Sequence, residues 1–217
     1  MKLHVAHHKT AALTLVEVLV VIVVLAALVA MILPRLAAAK RRSGPTCVNN
    51  IKQIGLSFQI WAGDNNGKFP MEISVTNGGT MELAATGNVV AIFQVMSNEL
   101  STPKILLCQK DKDKTFATNF GSDFTAKSIS YFVGLDANMN SPQTFLSGDD
   151  NFAIGGVSVK SGLLELSTNA LITWTAARHK FFGNIGHADD YVETITTDGL
   201  QKLVQQTGVA TNRLAIP

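Results

Sequence analysis

Leu13–Leu33 reads LTLVEVLVVIVVLAALVAMIL, a run that is apolar except for Thr14 and Glu17. At ~1.5 Å per helical residue it would extend about 31 Å, the hydrocarbon thickness of a bilayer, so the run predicts a transmembrane helix. The preceding residues, MKLHVAHHKTAA, carry Lys2 and Lys9 and no acid, in the manner of the n-region of a signal. An ordinary secretory signal continues with an apolar core of about 7–15 residues and a small-x-small cleavage site. This run is longer and stops at Pro34-Arg35, which argues against cleavage after it. Glu17 points to cleavage before it. A carboxylate in an apolar helix costs up to ~3 kcal/mol near the bilayer centre. A cut between Ala12 and Leu13 would create a cationic amine at Leu13 and put Glu17 in the first turn. There it complements the helix dipole and can pair with an amine, its own or a neighbour's.

Beyond residue 45 the composition is that of a globular domain rich in Asn, Thr, Ser and Gly. The formal charge of +2 is small, and removal of residues 1–12 would balance it. Nothing in that balance points to nucleic acid as a partner. The basic cluster Arg35, Lys40, Arg41, Arg42, counted against Lys2 and Lys9, would by itself put the C-terminal domain in the cytoplasm. Cys47 and Cys108, an even pair, fit either a single disulfide or two buried thiols, and Cys47 is too far along the chain from any His for a local zinc site.

After Pro34 a helical pattern resumes: Ile51, Ile54, Phe58 and Trp61 recur at spacings of 3, 4 and 3, one apolar face for a domain to pack on. The expected helix runs from Leu13 to about Trp61, with Pro34 and Pro45 as kink positions, a break over 43–46, and the Gly63–Gly67 turn as its end. Strands are expected at Ile73–Val75 and Met81–Leu83 around Asn77-Gly78-Gly79, then a helix at Val89–Leu100 and a buried strand at Ile105–Cys108. Lys110–Lys114 reads as a solvated charged turn. Further strands are expected at Ile129–Val133, Thr144–Leu146, Val157–Val159, Leu163–Leu166, Leu171–Trp174, Gly183–Gly186 and Tyr191–Ile195. A last helix capped by Thr197-Asp198 should reach Gln206, followed by an edge strand at Asn212–Ile216. Strands joined by turns imply an antiparallel sheet and an α+β domain.

No catalytic constellation stands out. His179 and His187, the histidines outside the leader, belong to no HExxH and stand beside no GxSxG serine, and Ser161 and Cys108 lack a local base. The chain is therefore not expected to be an enzyme. Asp149-Asp150 and Asp189-Asp190 are adjacent pairs suited to turns and are the candidates for a metal site, without the ligand spacing of a known calcium loop.

Ala12-Leu13-Thr14-Leu15-Val16-Glu17 resembles the processing site of type IV prepilins and type II secretion pseudopilins, with Ala12 in place of the usual Gly and Leu13 in place of Phe. The resemblance implies a leader, 1–12, removed by prepilin peptidase between Ala12 and Leu13, and N-methylation at Leu13. It also implies an assembly role for Glu17 against a neighbouring subunit's amine. Pro34 falls where the family commonly carries a helix-kinking proline. Cys47–Gly55, CVNNIKQIG, resembles the CxNNLKQIG segment of a pseudopilin-like group in planctomycete and verrucomicrobial bacteria, as do Ser128–Ala137, Leu146–Asp149, Gly183–Val192 and Asn212–Pro217. Asp190 stands where that group shows Gly, which predicts a different turn. The implied fold is pilin-like α+β: a long N-terminal helix, with a transmembrane half (13–34) and an amphipathic half (35–63), packed on a small antiparallel sheet within a globular domain (64–217). The implied role is a structural subunit of a secretion pseudopilus or type IV pilus-like filament. Its partners would be other pseudopilins, the peptidase and an inner-membrane assembly platform. It would have one membrane pass and a periplasmic C-terminal domain, with calcium as the cofactor the resemblance allows, because some major pseudopilins bind it. The rival reading is a single-pass anchored envelope protein with a binding or enzymatic ectodomain.

Overall fold

The computed structural model describes residues 15–41 and 46–217, and within the first helix the side chains of residues 15–26, 28 and 29. The chain divides into two units, Met1–Gly44 and Pro45–Pro217.

In the first unit, helix α1 (Leu15–Arg41) has Glu17 in its first turn and runs through Pro34. The large apolar side chains described along it are 45% to 80% exposed. Two expectations are overturned here. Among the described residues no helix is long and apolar enough to cross a membrane. The single-pass, inner-membrane placement falls with that helix. The single long helix packed on a small sheet is also not what forms, because α1 and α2 (Thr46–Asp64) are separate elements in separate units. The expected cut at Ala12/Leu13, Pro45 and most of the 43–46 break lie outside the described residues.

The second unit is α+β. Its main sheet has six antiparallel strands in the order β5-β9-β1-β2-β7-β8. These are β1 (Tyr131–Gly134), β2 (Phe145–Asp149), β5 (Gly162–Ser167), β7 (Phe182–His187), β8 (Val192–Thr196) and β9 (Thr211–Ile216). A second sheet, β4-β3-β6, is built from β3 (Phe152–Ile154), β4 (Val157–Ser158) and β6 (Ile172–Trp174). The sheet is thus larger than expected, and β9 lies inside it, paired with both β1 and β5, rather than at its edge. The reason lies in the side chains: Leu214, Ala215 and Ile216 are all buried, so both faces of β9 have cover.

Each face of the main sheet carries its own core. On one, Ile51, Ile54, Phe58 and Trp61 of α2 are buried as their spacing predicts, against Tyr131, Val133 and Leu146. Short helices α3 (Met81–Ala84), α4 (Val89–Val95) and α5 (Ser97–Leu100) complete that layer through Ala84, Val89, Ile92, Phe93 and Leu100. On the other face, Phe132, Phe145 and Ile185 meet Phe152 and Trp174 of the small sheet and Leu200 and Val204 of α6 (Thr197–Gln206). Helix α6 begins as expected, although the capping side chain is Thr196, which accepts from the Gly199 amide. The strands expected at 73–75 and 81–83 are instead a 3-10 turn, Val75–Asn77, and helix α3. Glu82 accepts from the Ser74 hydroxyl (2.6 Å) and the Val75 amide (2.8 Å), local bonds that take the place of a hairpin ladder. The strand expected at 105–108 is likewise replaced by a 3-10 turn, Pro103–Leu106, set by Pro103. Asp190 adopts φ +67°, the left-handed conformation that Gly takes up without strain.

Candidate functional site

The head of α2 is fastened to the segment before β1 by a disulfide between Cys47 and Cys108, with Cα atoms 5.6 Å apart and a sequence separation of 61. Both cysteines are buried. Around this bond the fold gathers charge into its interior. Asp149, at the end of β2, is 0% exposed and accepts through Oδ2 from the Asn184 backbone amide (2.8 Å) and the Asn184 side-chain amide (2.7 Å). Its Oδ1 has no hydrogen-bond partner among the described residues. Asp150 turns the other way, as neighbours in extended chain do, and pairs with Lys114 Nζ (2.9 Å) and with Arg178. Arg178 also donates to the Ser130 carbonyl (2.8 Å) and lies 3.4 Å from Asp111, which accepts from the Ser130 hydroxyl (2.8 Å).

The expectation of a solvated turn at Lys110–Lys114 fails at two of its residues. The side chains of Asp111 and Lys114 are only 7% and 17% exposed. Burial, aided by the charge of Arg178, lowers the Lys114 pKa to about 8, with Asp111 opposing. Tyr131, which accepts from Asn50 Nδ2 (3.2 Å), has its pKa pushed up chiefly by burial and then by the Asp149 charge.

The loop from Thr175 to Phe181 delivers Arg178 and His179 to this cluster. Asn151 anchors it: its carbonyl accepts from the Thr175 amide and hydroxyl (both 2.9 Å), and its side-chain amide donates to the Ala177 carbonyl (3.0 Å). Arg178, Lys180 and Phe181 all have positive φ, at 61°, 54° and 68°, a conformation that non-glycine residues adopt only under strong local constraint. His179 Nε2 is 3.5 Å from Cys108 Sγ and 3.5 Å from Asp149 Oδ2. A groove of about 600 Å³ between Gln109–Asp113 and Ala176–Lys180 opens over Asp111 and Arg178.

The candidate acids do not form one site. Asp149 and Asp150 lie in this cluster, whereas Asp189 and Asp190 follow the far end of β7, where a Cβ on Gly55 of α2 would run into the Asp190 carboxylate. Burial pushes the Asp190 pKa up; Lys52 opposes this and Asp189 adds to it. Reading the sequence alone missed Asp111, Lys114 and Arg178 as buried groups and His179 as the neighbour of the disulfide. Residues separated by up to 71 positions carry no local spacing signal, and the single hint was a histidine outside the leader. No family model, curated protein or solved structure matches the chain.

Proposed function

We propose that this chain is a structural subunit of a pseudopilin-type filament, of the type II secretion or type IV pilus class, and not an enzyme. The observation that carries the reading is α1. Leu15, Val16, Leu19, Ile22, Val23 and their neighbours are exposed all round the helix rather than along one stripe. An apolar surface of that breadth requires cover on every side, which a bundle of identical helices supplies. Full burial of each such side chain is worth ~1.5–3 kcal/mol before the entropic cost of association. Glu17 stands in the first turn of this helix, the position the processing-site resemblance assigns to register-setting against a neighbour's N-terminal amine. In this reading the partners are sister subunits, related pseudopilins, a prepilin-type peptidase and an assembly platform. The second unit is the folded domain each subunit displays.

Two measurements test it. The mass of the full chain isolated from cells that make filaments should correspond to loss of residues 1–12 and gain of one methyl group at Leu13. Glu17→Ala should be processed normally and yield no filament by electron microscopy. Normal filaments from that variant would overturn the role of Glu17, and an unprocessed N-terminus in assembled protein would overturn the reading as a whole.

A further inference from the structure

We infer that the Cys47–Cys108 pair is the oxidised form of a metal site: once reduced, Cys47, Cys108, His179 and Asp149 hold one divalent cation of the zinc class. The disulfide sulfurs and His179 Nε2 lie within 4.8 Å of one another. Asp149 stands outside that group, with Oδ2 3.5 Å from the same nitrogen that lies 3.5 Å from Cys108 Sγ; Oδ2 already accepts twice from Asn184, so Oδ1 is the oxygen left to ligate. Those separations have a meaning. Zinc bonds of ~2.3 Å to sulfur and ~2.0–2.1 Å to nitrogen or oxygen give a tetrahedron with edges of roughly 3.3–3.8 Å, the longest between the two sulfurs. The imidazole is already one such edge from a sulfur and one from a carboxylate. Two thiolates, one imidazole and one carboxylate are a donor set that favours zinc in tetrahedral geometry.

A disulfide does not account for these neighbours. A bonded pair of sulfurs needs neither a ring nitrogen nor a carboxylate beside it. Yet Asp149 is wholly buried with Oδ1 unpartnered among the described residues, an arrangement that costs desolvation energy unless something else occupies the site in another state. The loop that places His179 holds three non-glycine residues at positive φ to do so. Asn184, donating twice to Asp149, fixes the carboxylate as an outer-shell partner would.

The exchange balances. Two equivalents of a thiol reductant convert the disulfide to two thiols and are themselves oxidised to a disulfide. The two thiols then release two protons as the dication binds. The dication and its two thiolates together carry no net charge, so the Asp111, Lys114, Asp150 and Arg178 pairs keep their electrostatic balance in either state.

The test uses Co(II) as a spectroscopic probe on the full chain. Protein reduced with a thiol reductant, which is then removed under anaerobic conditions, should bind a single equivalent of Co(II). It should show the visible absorption of a tetrahedral site and the near-ultraviolet band of thiolate coordination, and Zn(II) should displace the cobalt. The oxidised protein should show neither band. His179→Gln and Asp149→Asn, reduced in the same way, should bind at least about tenfold more weakly. Far-ultraviolet circular dichroism accompanies each titration. Reduced wild-type protein that keeps its fold and takes up no cobalt overturns the inference, as does one that unfolds and is not refolded by the metal. Equal affinity in His179→Gln overturns it too, by showing a bare dithiol. The filament reading stands or falls separately on processing and assembly.

Discussion

Lys114 is the residue whose surroundings depart furthest from what its sequence neighbours suggest. It sits in a run of alternating charges, yet its amine is buried between Asp150 and the Ile129 carbonyl. With a pKa of about 8 in the folded chain against 10.5 for an ordinary lysine, the unfolded chain binds more protons between those values. Folding stability contributed at this position therefore rises with pH across that window and is flat below it, where both states are protonated. Urea unfolding of wild type and Lys114→Met at pH 7.5 and pH 10 should show wild type gaining relative to the variant at the higher pH. A pH-independent difference would mean that the amine keeps an ordinary pKa. Asp190 makes the complementary point. Its backbone is left-handed in the turn between β7 and β8, and its carboxylate lies where a Cβ on Gly55 would fall.

Among the elements, β7 is the most constrained. It pairs with β2 on one side and β8 on the other, and Gly183 passes directly beneath Trp174. That indole is 1% exposed and held edge-on by Phe152 at a centroid distance of 6.1 Å, so it has no room to retreat. Gly183→Ala should cost ~1–3 kcal/mol through overpacking, seen as a lower urea midpoint with an unchanged slope. An unshifted midpoint would mean that the ring can move. The elements read correctly from sequence were those with a repeating pattern. The apolar face of α2 and most of the strands from β5 to β8 belong there, because periodicity is a property of neighbouring residues. The segments at 73–75, 81–83 and 105–108 were misread because their strand-like composition was overruled by Glu82 bonding back to Ser74 and Val75 and by Pro103.

For the second unit as a whole, the disulfide is the long-range constraint, joining the α2 layer to the approach to the central strand. Closing a loop of this length is worth ~4 kcal/mol in the chain-entropy account. The double variant Cys47→Ala/Cys108→Ala should lose ~2–4 kcal/mol in denaturant unfolding while retaining the two-sheet fold by circular dichroism. A loss below that range would mean that the packing of α2 alone determines the position of its N-terminus.

The sequence by itself determined the apolar helix at the N-terminus, the packing face of α2, the α+β class of the second unit and the existence of a cysteine pair. Each of these is written in residues close together or in simple counts. Tertiary structure alone decided that β9 is interior and that the charges of Asp111, Lys114, Asp149 and Arg178 are buried around the disulfide with His179. Those outcomes depend on contacts between distant segments, where desolvation and pairing are settled by which surfaces meet and not by any local pattern.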